Sequence, residues 1–143
     1  MKKIDAAKND YLLDAPLEML HEESQDWLNE IQYWKEEVAF FYKLILQKSK
    51  VQGSGFKTKA GAEAERQILH ISVSTLDELK VSVTEHEKYL SKIVESPDAD
   101  TQFYRKRHKR ISDTFRQFEE EFKELKKKIF KLAANSQKAQ AVA

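Results

Sequence analysis

The sequence predicts an all-α fold, an antiparallel three-helix coiled-coil bundle whose long helices run up, down and up. Apolar residues recur at alternating spacings of three and four along three long segments, which is the heptad pattern of coiled coils. Helix breakers are scarce, with three glycines and two prolines in 143 residues, and most of them fall between those segments. A chain of this size holds one core, so we expect a single domain over residues 14–133.

The first helix is predicted over about residues 15–50. Asp14 is a candidate N-cap and Pro16 is tolerated in a first helical turn, while residues 1–13 are expected to form a flexible leader. The segment VQGSGF then supplies turn glycines and no periodicity, so the helix should end near Lys50. The heptad positions of this helix are Leu17, Leu20, Ser24, Trp27, Ile31, Trp34, Val38, Phe41, Ile45 and Lys48.

The second helix is predicted over about residues 58–95, and the middle of this segment is ambiguous. The runs HISVST and KVSVT are rich in β-branched residues and alternate as strands do, and Thr75 with Glu78 resembles a capping box that would restart a broken helix. No Gly, Pro or Asn lies between the two runs to form a hairpin turn, so a helix is the preferred interpretation. The heptad positions are Ala62, Glu65, Leu69, Ser72, Leu76, Leu79, Val83, His86, Leu90 and Ile93.

The third helix is predicted over about residues 99–133, after the segment SPDAD, and residues 134–143 are expected to form a frayed tail. Helices joined by short turns lie antiparallel, so the three series of heptad positions can be paired about the two turns. This pairing places Trp34 beside Leu76 and Phe118, and it places Leu69 beside Phe41. The heptad positions of the third helix are Tyr104, His108, Ile111, Phe115, Phe118, Phe122, Leu125, Ile129 and Leu132.

One layer of the predicted core is polar on all three helices, because the same pairing brings Ser24, His86 and His108 together. Two imidazoles and a hydroxyl can satisfy one another's hydrogen bonds, so we interpret this layer as a device that fixes helix register. The alternative is a metal or small-ligand site with His21, His86 and His108 as ligands, since imidazole suits zinc, copper, nickel and iron. A third possibility is pH sensing, because protonating two adjacent imidazoles would force the layer apart.

Met19, Tyr33 and Phe40 fall outside the predicted core, on the outer face of the first helix. Tyr33 and Phe40 are one heptad apart, and Met19 precedes Tyr33 by two heptads. Single exposed aromatic residues are common in proteins, but a row of them indicates a face for a partner helix or for self-association.

Composition excludes several classes of protein. Charged residues make up 34% of the chain but sum to a net charge of +1, so nucleic acid is not an expected partner, and the basic run YRKRHKR should be neutralised by acidic residues of the first helix. The chain has no cysteine, which excludes disulfides and thiolate metal sites. No segment approaches the roughly 20 apolar residues of a membrane-spanning helix, so we expect a cytoplasmic protein with no membrane partner.

These observations predict a non-enzymatic interaction or scaffold protein that acts by homo-oligomerisation or by docking a partner helix on Met19, Tyr33 and Phe40. The expected partner is another protein or a second copy of the chain, and no cofactor is expected. The alternative is a metal- or small-ligand-binding helical bundle that uses the histidine layer. No catalytic residue is predicted, because no phosphate loop, nucleophile elbow or metalloprotease motif occurs, and the Ser–His layer lacks an oxyanion hole and an orienting acid.

Overall fold

The structure is a computed structural model that describes residues 15–96 and 100–142, with side chains described as far as Asn135. The predicted leader at 1–13 and its candidate cap Asp14 lie outside the described residues. Within the described part of the chain all regular structure is helical and no strand occurs, so the all-α prediction is confirmed. The helices are α1 (Leu17–Ser49), α2 (Lys59–His70), α3 (Leu76–Val94) and α4 (Gln102–Val142), with a 3-10 turn at Gly55–Lys57 and a π-helical turn at Ile71–Thr75.

The ends of the long helices follow from local chemistry. Helix α1 begins after Pro16, whose carbonyl accepts the N–H groups of Met19 at 3.0 Å and of Leu20 at 3.3 Å. It ends before Gly53, which adopts a φ of 76° that favours glycine. Helix α4 continues through Val142, past the end predicted at residue 133, because its last residues are mostly good helix formers with no Gly or Pro. None of the helices in the described ranges is long and apolar enough to cross a membrane.

The chain divides into two compact units, each with its own core. Of the described residues, the first unit contains those up to Ile31 and those between Glu78 and Gln117, and the second contains Gln32–Asp77 and those from Phe118 to Val142. The first unit includes a cluster of buried residues formed by Ala15, Leu20, Leu90, Ile93 and Tyr104, with Leu17 and Tyr89 packed against it. The second unit has an aromatic core in which Trp34 packs edge-on against Phe118 with ring centroids 4.7 Å apart.

The π-helical turn shifts the heptad register of the middle segment by one residue. The N–H group of Leu76 donates to the carbonyl of Ile71, five residues back, so this turn holds one residue more than an α-helical turn. Before the turn the buried residues are Gly61, Ala64 and Ile68 rather than the predicted Ala62, Glu65 and Leu69. The predicted position of Leu69 beside Phe41 is therefore wrong, and the Leu69 side chain is 38% exposed. After the turn the predicted register holds, with buried Leu76, Leu79, Val83, His86, Leu90 and Ile93.

The start of α2 is held by close packing against the preceding 3-10 turn. Thr58 is the N-cap of α2, and its side-chain oxygen accepts the N–H of Gly61 at 3.1 Å. A Cβ atom at Gly61 would lie 2.3 Å from the Cα of Phe56 and 2.5 Å from its carbonyl carbon. Because Phe56 is itself buried, the backbone has no free space into which it can retreat.

We therefore expect Gly61→Ala to lower the free energy of unfolding by about 1–3 kcal/mol, the usual cost of inserting a methyl group into a filled space. Urea denaturation followed by circular dichroism measures the change. The matched control is Lys59→Ala, an exposed substitution in the same helical turn, which should stay within about 0.5 kcal/mol of the wild type. Equal unfolding midpoints for the two variants would contradict this packing.

Candidate functional site

The histidine layer lies in the first unit and joins α3 to α4. His86 on α3 and His108 on α4 are both fully buried, and Nε2 of His86 lies 3.0 Å from Nδ1 of His108. A hydrogen bond of this length between two neutral imidazoles requires one ring to donate and the other to accept. Ser24 on α1 is also fully buried, so all three residues predicted for the polar layer lie inside this unit.

Aromatic rings pack closely around the two imidazoles. His86 stacks on Tyr104 with ring centroids 4.1 Å apart and an interplanar angle of 2°. The Trp27 indole lies 4.5 Å from the His108 ring and also stacks on Phe115 at 5.3 Å. The pair is thus held between a tyrosine and a tryptophan, which fixes the planes of both imidazoles. The sequence pattern indicates that Tyr104 belongs to the core, but not that its ring lies flat on His86.

Burial keeps both imidazoles neutral at physiological pH. The pKa of His86 is lowered to about 3, mainly by desolvation and to a smaller extent by the charges of His108 and Arg107. Desolvation also lowers the pKa of His108 to about 4. Burial raises the pKa of the Tyr104 hydroxyl, and the carboxylate of Glu87 adds to this rise. The layer is therefore uncharged near pH 7, and adding a proton to it is unfavourable in the folded state.

Several polar atoms of this layer have no hydrogen-bond partner within the described parts of the chain. They are Ser24 Oγ, His86 Nδ1, Tyr104 Oη and His108 Nε2. The carboxylate of Glu23 lies 3.8 Å from His108 Nε2, beyond hydrogen-bond distance. The nearby Ser24 hydroxyl acts to lower the pKa of Tyr104, against the larger effect of burial. Buried polar atoms without partners cost free energy, so this layer is less stabilising than an apolar one of the same volume. Such a layer favours a single helix register. A shift of one helix would place these polar atoms against apolar layers, which would cost still more free energy.

The metal-site interpretation of His21, His86 and His108 finds no ligand set in the structure. His21 is about half exposed, and its Nδ1 pairs with Oε2 of Glu87 rather than with the other two histidines. One ring nitrogen of His86 and one of His108 are directed at each other. Across residues 15–96 and 100–135, no group of three or more His, Asp or Glu side chains is placed to hold a metal ion. The three histidines are therefore not brought together as one ligand set in the described residues, because heptad spacing sets the height of these residues but not the direction of their rings.

The second unit carries an exposed aromatic surface formed by Tyr33, Phe40 and Phe130. Tyr33 is 66% exposed, Phe40 58% and Phe130 55%. The rings of Phe40 and Phe130 both pack edge-on against the buried Phe41, with centroids 5.3 Å and 5.2 Å away. The aromatic surface therefore crosses from α1 to α4. Met19, the third residue of the predicted face, is 39% exposed but belongs to the first unit and is not part of this surface.

Sequence reasoning did not identify Phe130 as part of this surface. Phe130 follows the buried heptad residue Ile129 directly, and it lies among four lysines at positions 126, 127, 128 and 131. The sequence does contain a signal for this exposure, because an apolar ring lies one position away from a core residue within a strongly basic segment. One helical turn away, Lys126 forms an ion pair with Glu37 at 2.9 Å and lies over the ring of Phe122.

Two basic residues of the run at 104–110, Arg105 and Lys109, make contacts inside the first unit. Arg105 donates from Nη1 to the carbonyl of Ala15 at 2.6 Å and from Nε to the hydroxyl of Thr101 at 3.0 Å. Lys109 pairs with Asp113 at 3.3 Å. The Arg105 contacts anchor the start of α4 to the chain just before α1. Part of the positive charge that could indicate nucleic-acid binding therefore stabilises the fold.

Fold and site together define a class of protein: an all-helical chain with a buried histidine pair in one unit and an exposed aromatic surface in the other. Comparison with protein-family models, with curated proteins and with solved structures finds no match to this chain.

Proposed function

We propose that this protein is a non-enzymatic interaction or scaffold protein that binds a partner helix, or a second copy of itself, through the aromatic surface. The observation that carries the proposal is that Phe40 and Phe130, on two different helices, are both more than half exposed and pack on the same buried ring. Adjacent large apolar groups that remain in water gain free energy when a partner covers them. A helix with apolar residues at heptad spacing is the kind of partner that fits a row of side chains along two helices.

The lysines around Phe130 suggest what lies beside the apolar contact in the complex. Lys127 and Lys131 are exposed on α4, and Lys43 is exposed on α1 near Phe40. Carboxylates flanking the apolar residues of the partner would complement this positive rim, and they would act mainly on the rate of association and on specificity.

We also propose that an antiparallel three-helix coiled coil forms the rigid support of this surface. In the second unit, residue numbers increase in the same direction along the contacts of α1 with α4. Trp34 contacts Phe118, and further along both helices Phe41 contacts Phe130. In the first unit, His86 on α3 contacts His108 on α4, and Tyr89, later on α3, contacts Phe103, earlier on α4. These orders of contact support the up-down-up arrangement that we propose, with its register fixed by the histidine layer. We also propose the cytoplasm as the compartment in which the protein acts.

The double variant Tyr33→Glu/Phe40→Glu tests the proposed surface. We expect the wild type to self-associate or to capture a partner, and the variant to do neither while keeping its melting temperature, because both rings are exposed in the unit that carries them. Sedimentation velocity measures self-association. A photo-crosslinking residue at position 40 measures capture, and the same residue in place of Val81, which is exposed in the first unit, gives the background level of crosslinking.

The matched control is Gln32→Glu/Ala39→Glu, which adds the same two charges to exposed neighbours on the same helix and should leave association unchanged. The proposal fails if the wild type is monomeric at every concentration and position 40 captures no more than position 81 does. It also fails if the double variant and its control associate equally well.

A further inference from the structure

The π-helical turn leaves a gap in the core of the second unit. From Leu69 to Thr75, no side chain is fully buried, whereas a regular heptad would bury one or two residues over this distance. Ile71 and Thr75 are only half-buried, and Ser72 and Val73 are exposed. The extra residue of the turn therefore turns the side chains away from positions that α2 and α3 otherwise fill.

Three large apolar side chains of α4, each no more than 6% exposed, lie beneath this segment. Phe118 and Phe122 stack on each other with ring centroids 5.5 Å apart, and Leu125 lies one turn further along the helix. Together with Ile71 and Thr75 they line a pocket of about 600 Å³. Ligand pockets for small molecules commonly have volumes of roughly 300–1,000 Å³. This pocket lies in that range and combines an apolar floor with a rim of polar and charged side chains.

The acidic groups at the rim of the pocket are already engaged. Glu63 accepts hydrogen bonds from Arg66 and, at 3.4 Å, from Gln67, and the Arg66 guanidinium holds the pKa of Glu63 below its usual value. Glu121, the other acid of the rim, also interacts with a neighbouring group. A cationic ligand would have to compete with these contacts for either carboxylate.

The basic groups of the same rim are less committed. Lys128 acts on Glu63 only at longer range, and within the described residues its ammonium has no carboxylate within 4 Å. His70 lies at the same rim, in the last turn of α2. Both side chains can donate a hydrogen bond to an anion while the apolar part of a ligand lies on the aromatic floor.

We propose that this pocket binds an amphipathic small molecule with a single anionic head group, such as a medium-chain or aromatic carboxylate. The apolar body lies against Phe118, Phe122 and Leu125, and the head group lies at Lys128 and His70. π-helical turns are rare and are found frequently at functional sites, where the less favourable helix geometry is retained because it shapes a site. The pocket is distinct from the aromatic surface, so this inference does not depend on the proposed interaction partner.

Decanoate is a suitable probe, because it combines a flexible apolar chain with one carboxylate. Isothermal titration of the full chain should show one site per chain, with a Kd on the order of 10–100 µM for a ligand of this size. Decyltrimethylammonium, which has the same chain with a cationic head, should bind at least tenfold more weakly. Lys128→Ala should weaken decanoate binding about tenfold, whereas Lys123→Ala, an exposed lysine on the same helix that does not line the pocket, should leave it unchanged.

Deletion of Val73 tests the role of the π-helical turn. Val73 is 70% exposed, and removing one residue restores a spacing of three and four from Ile68 through Ile71 to Leu76. The turn then becomes α-helical and Ile71 fills the gap, so decanoate binding should be lost while the melting temperature stays equal or rises. Thr75→Leu, which fills the pocket without changing the chain length, should also abolish binding if the deletion variant does not fold.

The inference is overturned if the wild type binds no decanoate, or if the filled variants bind it as well as the wild type does. It is also overturned if decyltrimethylammonium binds as tightly as decanoate, because the head group would then not be recognised by Lys128 and His70. Unchanged binding by Lys128→Ala would contradict the placement of the head group in the same way.

Discussion

Acidification from pH 6.5 to pH 4 is expected to lower the free energy of unfolding by roughly 5 kcal/mol, because His86 and His108 bind protons readily in the unfolded chain but not in the folded one, where burial opposes charge. Their folded-state pKa values of about 3 and about 4 lie below the 6.5 of an exposed histidine. The unfolded chain therefore binds these protons first as the pH falls. The free energy of unfolding is highest above pH 6.5. As the pH falls below 6.5, it decreases by about 1.4 kcal/mol per pH unit for each histidine, until the pH reaches the pKa of that histidine in the folded state.

The charged groups around the pair act in opposite directions. Arg107 adds to the lowering of the pKa of His86, while the carboxylate of Glu23, 3.8 Å from His108 Nε2, would partly offset a charge on His108. Glu87, on the same helix as His86, has Oε2 paired with His21. Because desolvation is the largest cause for both histidines, we expect these carboxylates to reduce the loss of stability without cancelling it.

Urea denaturation at pH 7, 6 and 5, followed by circular dichroism, measures this dependence. The double variant His86→Leu/His108→Leu should lose most of the pH dependence in this range, because neither folded nor unfolded chain then titrates at these positions. His70→Leu is the control, since His70 is exposed and should not change the slope. The single variant His86→Leu should be destabilised by about 1–3 kcal/mol, because it leaves a ring nitrogen of His108 without its partner. Parallel pH profiles for the wild type and the double variant would refute the expectation.

Trp34→Ala is expected to lower the free energy of unfolding by about 3–5 kcal/mol, a large share of the total for a protein of this size. Trp34 is only 4% exposed, and its indole packs edge-on against Phe118 in the core of the second unit. The substitution removes the transfer free energy of the indole and leaves a cavity that the stiff helical backbone cannot fill.

Equilibrium unfolding in urea measures the Trp34 effect, and the neighbouring residue provides a matched control. Tyr33→Ala removes a ring of similar size from the next position, but Tyr33 is 66% exposed and its loss should cost no more than about 0.5 kcal/mol. A comparable loss in both variants would show that burial does not distinguish the two faces of α1.

Most of the core of α1 and α4 could be predicted from the sequence alone. Ile31, Trp34, Val38, Phe41 and Ile45 are all buried at the predicted heptad positions, and the same holds for the series Ile111, Phe115, Phe118, Phe122, Leu125 and Ile129 on α4. Large apolar residues at a strict spacing leave only one face of a helix that can be buried. The periodicity is therefore sufficient where the apolar residues are large and the helix is regular.

The sequence was insufficient where two registers are nearly equal in apolar character. One register buries Ile68 and the other buries Leu69, and the choice depends on a single additional residue in the turn between Ile71 and Thr75. No pattern of apolar residues separates an α-helical from a π-helical turn, because both present similar side chains to the core. The β-branched run ISVST was the one local sign of irregular structure.

The candidate sites show the same division between what periodicity predicts and what it cannot. The heptad register indicates that Ser24, His86 and His108 belong to one layer, but the stacking on Tyr104 and the pairing of His21 with Glu87 depend on side-chain rotamers. Likewise, the spacing of Tyr33 and Phe40 indicates an outer face, whereas the contribution of Phe130 requires knowledge of which helix lies beside α1.

The extra residue at Ile71–Thr75 has an evolutionary consequence. A homologous chain with one residue fewer between Ile68 and Leu76 would have an uninterrupted α-helix here, with the pocket filled by its own isoleucine. If the pocket binds the proposed ligand, insertion or deletion of a single codon at this point would create or remove the site, even if every pocket-lining side chain were identical. The number of residues between Ile68 and Leu76, rather than their identity, would then decide whether the pocket is present.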